Sequence, residues 1–309
     1  MKAITIREFG GPEVLKIEEM PVPKPSSDEA LIKIYASGVN PVDWKIRKGL
    51  RKERFPVKFP LILGWDVSGV IEEVGQDVKD LRVGDEVYGR PDPTKNGTYA
   101  EYIVVKANEL SIKPKSIDHI HAAGVPLAGL TAWQGLFDHG HLENGQRVLI
   151  HAASGGVGTF AVQFAKWKGA YVIGTTSSEN VNFVKQLGAD EVIDYKKEKF
   201  DEKIKNIDLV FDTLGGEIQK KSLKVLKKGG ILITTLKPEN EEAAKERDIH
   251  IEGYMAQSNP LELKKMAELI DAGKIKPVIA KVFPLEDAAK AQSLSEEGHT
   301  VGKIILQVV

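Results

Sequence analysis

The feature that most restricts this 309-residue chain is the stretch Arg147-Val148-Leu149-Ile150-His151-Ala152-Ala153-Ser154-Gly155-Gly156-Val157-Gly158. An apolar run passes straight into small residues, and an amphipathic segment, residues 157–168, follows. Only a strand that turns directly into a helix needs that order. Ala153, Gly155 and Gly158 stand in the spacing Ala-x-Gly-x-x-Gly, with Ser154 inside the turn. The first small residue permits the tight turn, Gly155 lets a phosphate approach the backbone, and Gly158 lets the helix pack closely on the strand. The helix N-terminus then offers unpaired N–H groups and a positive dipole end. Context supports a dinucleotide site here, because a strand precedes the glycines and another strand follows the helix.

From residue 120 onward, apolar runs alternate with helical segments. Strands are predicted at 148–151, 171–175, 192–193, 209–212 and 231–235, and helices at 122–137, 157–168, 180–187, 219–226 and 261–271. Such alternation implies βαβ units and a parallel sheet with helices on both faces. The first third reads differently. Short apolar or alternating runs at 3–6, 15–18, 30–35, 67–74, 86–88 and 99–105 are broken by Gly10-Gly11-Pro12, the 21–25 proline cluster and single glycines. That spacing suggests an antiparallel, barrel-like domain. After residue 276 the chain again reads β at 278–283, helical at 285–294 and β at 303–308, while the charged stretch 239–248 reads as a solvated loop or helix face.

Composition excludes several classes. The formal net charge is −1, so no global field favours nucleic acid or an anionic membrane. No apolar run is long enough to suggest a membrane span, and residues 1–8 lack a signal-peptide core. There is no cysteine, which removes disulfides, thiolate zinc ligands and a cysteine nucleophile together. A cytoplasmic location is the default expectation.

The nucleotide is read from the second strand of the parallel sheet. NAD binders place an Asp or Glu there, about 20 residues on, to hold the ribose hydroxyls. This strand ends Gly174-Thr175-Thr176-Ser177-Ser178, with Glu179 only afterwards. Hydroxyls can donate to a 2′-phosphate without charge repulsion, so NADPH is expected over NADH, with Lys185 and Lys196 as candidate sources of positive charge.

Along essentially its whole length the chain resembles the medium-chain dehydrogenase/reductase superfamily, in its zinc-lacking quinone oxidoreductase and alkenal/enone reductase branch. The resemblance rests on Gly38-Val39-Asn40-Pro41-Val42-Asp43-Trp44-Lys45, on residues 60–70 (PLILGWDVSGV), on Val83-Gly84-Asp85-Glu86-Val87-Tyr88-Gly89, on the glycine turn and on Gly302-Lys303-Ile304-Ile305-Leu306. It implies an α/β fold: a GroES-like β-barrel domain from residues 1–120 and 275–309, and a Rossmann doubly wound parallel sheet from 121–274, with a small-molecule cleft between them. It also implies cofactor contacts. Thr131 would stand by the nicotinamide, Gly156 and Val157 at the pyrophosphate, Thr176, Ser177 and Ser178 along the adenosine ribose, and Tyr195 near the 2′-phosphate. Leu214 and Gly215 would meet the cofactor at a strand end, and Lys303 would reach it from the returning strand. In alcohol dehydrogenase relatives the first zinc-ligating Cys falls at Asn40 and the His at Trp65, so no metal site is expected.

The implied reaction is hydride transfer to a quinone or to the β-carbon of an enone or alkenal. Without metal, the oxygen that gains charge must be met by hydrogen-bond donors. Asn40, Asp43 and Lys45 are the candidates: Asn40 as donor to a carbonyl, Lys45 on the cofactor ribose or substrate oxygen, and Asp43 orienting Lys45 or relaying a proton. A structural alternative has Asn40 capping a turn before Pro41 and Asp43 pairing with a neighbouring cation. Two other functions fit the pattern: an enoyl-thioester reductase using the basic residues of 47–58, or a non-catalytic NADPH-binding redox sensor. A homodimer is expected by resemblance.

Overall fold

The computed structural model describes residues 1–92 and 94–309, and the chain divides into two compact units. The first comprises Met1–Leu127, Ser258–Gly273 and Pro277–Val309, and the second Ala128–Gln257 with Lys274–Lys276.

The first unit is built on antiparallel strands β1 (Lys2–Ile6), β2 (Lys16–Glu19), β3 (Glu29–Val39), β4 (Leu61–Ile62), β5 (Val67–Val74), β6 (Glu86–Gly89), β7 (Tyr102–Lys106) and β8 (Leu110–Ile112). In the second unit β9 (Arg147–Ile150), β10 (Tyr171–Thr176), β11 (Glu191–Asp194), β12 (Ile207–Asp212), β13 (Leu226–Thr234) and β14 (His250–Gly253) follow. The chain then returns to the first unit with β15 (Ile279–Pro284) and β16 (Lys303–Gln307).

β3 is the spine of the first unit. It is long, mostly buried and largely apolar, and it pairs with β5, β7 and β16. The larger sheet runs β15-β16-β3-β5-β6-β8, and a smaller one runs β2-β1-β4. Ile32, Ile34, Val67, Ile71, Val87, Ile103 and Val105 form its core. The helix Pro260–Asp271, read from sequence as part of the nucleotide-binding segment, groups with this unit. Asn259 caps its start by accepting from the Leu261 and Glu262 N–H groups. The Tyr88 hydroxyl, carried on β6, donates to the Leu263 carbonyl of that helix.

All six strands of the second unit are parallel, in the order β11-β10-β9-β12-β13-β14. Val148, Leu149 and Ile150 are wholly buried, as a strand covered on both faces requires. The helix Gly156–Lys168 links β9 to β10 and ends at Gly169, whose φ of 90° is the left-handed conformation glycine adopts at helix ends.

Some local details refine or depart from the sequence reading. The single helix expected at 122–137 is three pieces: His119–Ala123, Pro126–Trp133 and a π-helical turn Gln134–His139. Pro126 supplies no N–H to continue the first piece. At Gly135 a Cβ would meet Phe211 Cε2 and the Tyr254 hydroxyl, each at 2.3 Å, so the wider turn accommodates side chains pressed against its backbone. Within 239–248, Glu241–Glu246 is a helix that buries Ala244. β14 follows it and is absent from the sequence reading, because His250-Ile251-Glu252-Gly253 has a single apolar side chain.

No described helix is long and apolar enough to cross a membrane. Replacing Tyr88 with Phe removes one buried hydrogen bond between β6 and the helix Pro260–Asp271. It is expected to cost about 1 kcal/mol, read as a lowered denaturation midpoint with unchanged slope.

Candidate functional site

The glycine turn of the second unit leaves β9 with Ala152 at φ 50°. The Gly155 N–H donates to the Ala152 carbonyl at 2.9 Å, and the Ala153 N–H to the Thr175 carbonyl at 3.0 Å. Each glycine has a distinct task. A Cβ on Gly158 would lie 2.1 Å from the Ala152 carbonyl oxygen and 2.8 Å from Ala153 Cα, so helix and strand approach only because it has none. Gly174 on β10 is equally constrained, with a Cβ meeting Ala153 Cβ and Val184 Cγ1 at 2.9 Å. Gly155 is different: its Cβ would touch only the Ala152 oxygen, at 3.3 Å, and the space above it is open. Ser154, Gly155, Gly156 and Val157 are half-exposed, whereas Gly158 onward is buried. The first turn of the helix therefore presents backbone N–H groups on an accessible face, which suits a pyrophosphate.

Behind the turn, His151 is buried between two hydroxyls. Its Nε2 lies 2.8 Å from Ser222 Oγ, which itself donates to the Ile218 carbonyl at 2.7 Å. Nε2 must then carry the proton, and Nδ1 accepts from Thr175 Oγ1 at 3.1 Å. Burial pushes the imidazole down to about 4, so it stays neutral.

The hydroxyls expected along the ribose are partly committed. Thr176 Oγ1 pairs with Ser154 Oγ at 2.9 Å. Ser177 Oγ accepts from Asn180 Nδ2 at 3.1 Å, and its hydroxyl faces the Glu179 carboxylate and, after the Lys196 ammonium, helps hold that group below its ordinary range. Ser178 instead donates to Asp194 Oδ2 at 2.6 Å, a bond that holds the Asp194 carboxyl below its ordinary range. Tyr195 is exposed, and Lys196 is paired with Glu179 at 2.8 Å, which neutralises the one carboxylate following the strand.

At the end of β12, Asp212 organises the next loop. Its wholly buried carboxylate accepts from the N–H groups of Leu214 and Gly215, from Gln219 Nε2 and from Thr234 Oγ1. Leu214 and Gly215 thus have their N–H groups turned inward, while the Leu214 side chain is exposed. Sequence reasoning does not single out Asp212; an Asp closing a strand before Leu214-Gly215-Gly216 is the available signal. Thr131 is buried, its carbonyl accepting from the Tyr254 hydroxyl.

In the first unit, Asn40 and Asp43 open the helix Pro41–Arg47, an element the sequence reading lacks. The Asp43 carboxylate accepts from the Asn40 N–H at 2.7 Å and from the Tyr99 hydroxyl at 2.8 Å. Asn40 Nδ2 donates to Asp66 Oδ2 at 2.8 Å, and Asn40 Oδ1 accepts from Lys303 Nζ. Lys303 also donates to Asp66 at 3.2 Å and to the Val39 carbonyl at 3.3 Å. An ammonium has three protons, and Lys303 spends all three inside this buried network, so its expected reach to a cofactor is not what the geometry offers. Lys45 is not drawn in. It is half-buried over its neighbour Trp44, at 5.3 Å from the ring centroid, and burial with the nearby Arg51 charge lowers its pKa.

Close to Asp66, the buried Trp65 ring meets Phe55 edge-on at 5.3 Å and carries the Arg90 guanidinium at 5.0 Å. Two of the basic residues of 47–58, those at the end of the helix Pro41–Arg47, are engaged within the chain. Arg47 is buried, with Nε on the Gly10 carbonyl, Nη1 on Gln292 and Nη2 on Glu296, and Lys48 joins Glu296. Among the described residues no cluster of His, Asp and Glu has metal-binding geometry.

Burial pushes the Asp43 carboxyl from 3.8 up to about 7, with Asp66 adding to the effect, and its Oδ1 has no partner to favour the anion. The folded protein then holds a proton that the unfolded chain releases, so this group's contribution to stability falls as pH rises from 3.8 to about 7. Asp43→Asn should flatten that part of the stability–pH curve; an unchanged slope would remove Asp43 as its source. Gly158→Ala forces a Cβ against backbone and is expected to cost about 1–3 kcal/mol in chemical unfolding, and to weaken dinucleotide binding along with it.

With this geometry in place, comparison with known proteins gives a consistent result. Residues 26–115 match the alcohol dehydrogenase GroES-like domain, and residues 187–306 match the family described as zinc-binding dehydrogenase. The chain is 37% identical to the mitochondrial NAD(P)H oxidoreductase RTN4IP1 of Mus musculus over 354 residues, covering 100% of this chain and 89% of that protein. It is 37% identical to the chloroplastic NADPH-dependent alkenal/one oxidoreductase of Arabidopsis thaliana, covering 99% of this chain and 79% of the relative. Its fold superposes on Escherichia coli quinone oxidoreductase complexed with NADPH with a TM-score of 0.91, at 28% identity and 100% coverage of both chains. An antiparallel unit joined to a six-stranded parallel sheet of dinucleotide-binding order, with relatives of this identity along its whole length, places the chain in the medium-chain dehydrogenase/reductase superfamily, within its quinone oxidoreductase and alkenal reductase branch.

Proposed function

We propose that the protein is an NADPH-dependent reductase of quinones or α,β-unsaturated carbonyl compounds that works without zinc. The observation that carries the reading is the turn Ala153–Gly158 at the end of β9, open above Gly155 and closed below Gly158. When bound, NADPH supplies a hydride from its nicotinamide ring. The Gly156 and Val157 backbone would hold the pyrophosphate. Thr176 and Ser177 stand at the end of β10, where a ribose phosphate is met by hydroxyls, and the pairing of Glu179 with Lys196 removes the repulsion a free carboxylate would exert.

Zinc independence is supported by the donor set. The chain has no cysteine, and the side chains at Asn40 and Trp65 are both committed, one to Asp66 and Lys303 and the other beneath Arg90. Neither pairing leaves the nitrogen or thiolate ligands a catalytic zinc takes. The thioester alternative narrows to Arg51, Lys52, Arg54 and Lys58, since Arg47 and Lys48 are engaged within the chain. A homodimer is also proposed, β14 being the outer strand of its sheet with one row of backbone groups unpaired.

The test is loss of nicotinamide absorbance with NADPH and NADH in parallel against quinones and small enones. Preferential turnover of NADPH supports the reading. Saturable NADPH binding with no acceptor reduced would replace it with the sensor alternative. Prolonged treatment with a zinc chelator is expected to leave the rate unchanged. Ser177→Asp places a carboxylate at the end of β10 and should weaken NADPH at least about tenfold while sparing NADH, measured as the ratio of the two KM values.

A further inference from the structure

The basic residues at and beyond the end of the helix Pro41–Arg47 are treated in two ways. Arg47 and Lys48 give their charge to Glu296. Arg51, Lys52, Arg54 and Lys58 make no ion pair and no side-chain hydrogen bond among the described residues. Lys52, Arg54 and Lys58 are exposed, and Arg51 is half-buried. Glu53 is the one carboxylate of the stretch 47–58, and Glu8 stands next to Phe9 in the chain, so cations remain in excess.

Apolar side chains stand among these cations. Leu50 is 63% exposed, Phe59 40% and Phe9 37%. The Phe9 and Phe59 rings meet edge-on at 5.2 Å, and a Cβ on Gly49 would lie 3.1 Å from the Phe9 ring, so the turn and the two aromatics are contiguous. The turn is held in place by its backbone. The Leu50 N–H donates to the Lys45 carbonyl at 2.9 Å and the Phe55 N–H to the Arg51 carbonyl at 2.8 Å. The Phe55 ring then anchors the segment against Trp65 at 5.3 Å. Exposed apolar side chains forgo the gain of burial, and unpaired like charges side by side repel. Neither feature stabilises the fold; together they match a surface that is negative outside and apolar beneath.

We propose that the turn 49–59, together with Phe9, docks on an anionic phospholipid bilayer. Arg51, Lys52, Arg54 and Lys58 meet the headgroup phosphates, while Leu50, Phe9 and Phe59 enter the boundary of the acyl chains. A few cations or a few apolar side chains bind a bilayer only marginally, and the two signals together hold. The forked guanidinium of Arg51 and Arg54 suits phosphate oxygens. Nucleic acid or an acidic protein surface could take the cations, but would leave Leu50 in water. The whole chain has a net charge of −1 and no general attraction to anionic lipid, so this patch supplies it locally. Quinones and long-chain enones dissolve in bilayers, so on the reductase reading above this docking brings enzyme to acceptor; the docking itself does not rest on that reading.

The probe is sedimentation of the full chain with vesicles of phosphatidylglycerol mixed with phosphatidylcholine, and with phosphatidylcholine alone, at about 0.15 M salt. Wild type is expected to sediment with the first and stay in solution with the second. Each of Arg51→Gln, Lys52→Gln, Arg54→Gln and Lys58→Gln should weaken binding about fivefold, and Leu50→Ser about tenfold. Lys79→Gln is the control: Trp65 precedes β5 and Lys79 follows it, so this exposed lysine lies past the opposite end of the strand, and its loss should leave binding unchanged. If the half-buried Arg51 cannot be replaced without unfolding, Lys52→Gln combined with Lys58→Gln carries the test. No sedimentation with the anionic vesicles, equal sedimentation with both, or a loss in Lys79→Gln as large as in the other variants overturns the docking surface. Wild-type binding by Leu50→Ser, or release of bound protein by soluble polyglutamate or coenzyme A at matched charge concentration, assigns the cations to an acidic protein or a thioester and overturns it as well. Vesicle binding needs no turnover, so failure here leaves the reductase reading standing, and absence of turnover leaves the docking surface standing.

Discussion

The first unit depends on one buried ion pair, Lys303 with Asp66, and on Asn40, which bridges them. Lys303 opens β16, Asn40 follows β3, and Asp66 precedes β5. One cluster of polar atoms therefore fixes where three strands of a single sheet begin or end. It agrees with the backbone register, in which Ile304 stands opposite Val39. Gly38 belongs to the same constraint, since a Cβ there would lie 2.4 Å from Asp66 Oδ2. A buried ion pair stabilises little by itself against an apolar replacement, but losing one partner leaves the other charged and dry. Its main effect is to exclude other registers. The network extends to Asp43 and Tyr99, which explains why residues of a helix start are held so far from solvent.

The second unit obeys a different constraint, the contact between a helix and a strand. Gly158 and Gly174 remove the side chains that would separate the turn from its neighbours. Polar groups behind it are paired with each other, His151 with Thr175 and Ser222, and Asp212 with the loop N–H groups. The wall behind the turn is thus polar but satisfied. Only the outward backbone of Ser154, Gly155, Gly156 and Val157 is left to meet a ligand.

Much of this is legible in the sequence. Apolar strands alternating with helices reveal the parallel sheet, and Gly155 and Gly158 reveal its turn, because backbone close approach leaves a mark that only glycine can make. The hydroxyl-rich end of β10 is visible for the same reason, as a run of residue types. What cannot be read are pairings across long separations. Nothing local to Lys303 says that its ammonium meets Asn40 and Asp66, so its sequence context points to a cofactor instead. The π-helical turn at Gln134–His139 and the strand β14 are hidden because each depends on tertiary neighbours, Phe211 and Tyr254 for the first and β13 for the second. Lys45 remains a candidate on composition alone, with no partner network to define its task.

The separation of Lys303 from Asp66 along the chain, 237 residues, also sets an order of events during synthesis. At ribosomal speeds of about 5–20 residues per second, the carboxylate emerges on the order of ten seconds or more before its cation. Until then β3 has one edge without β16, and Asp66 has no buried cation to face. The inserted second unit, whose contacts lie within one continuous stretch apart from three residues, has no such wait. The nascent protein thus carries a folded nucleotide-binding unit while the sheet of the first unit is unfinished, and that open edge is where misassembly or chaperone capture during translation would concentrate.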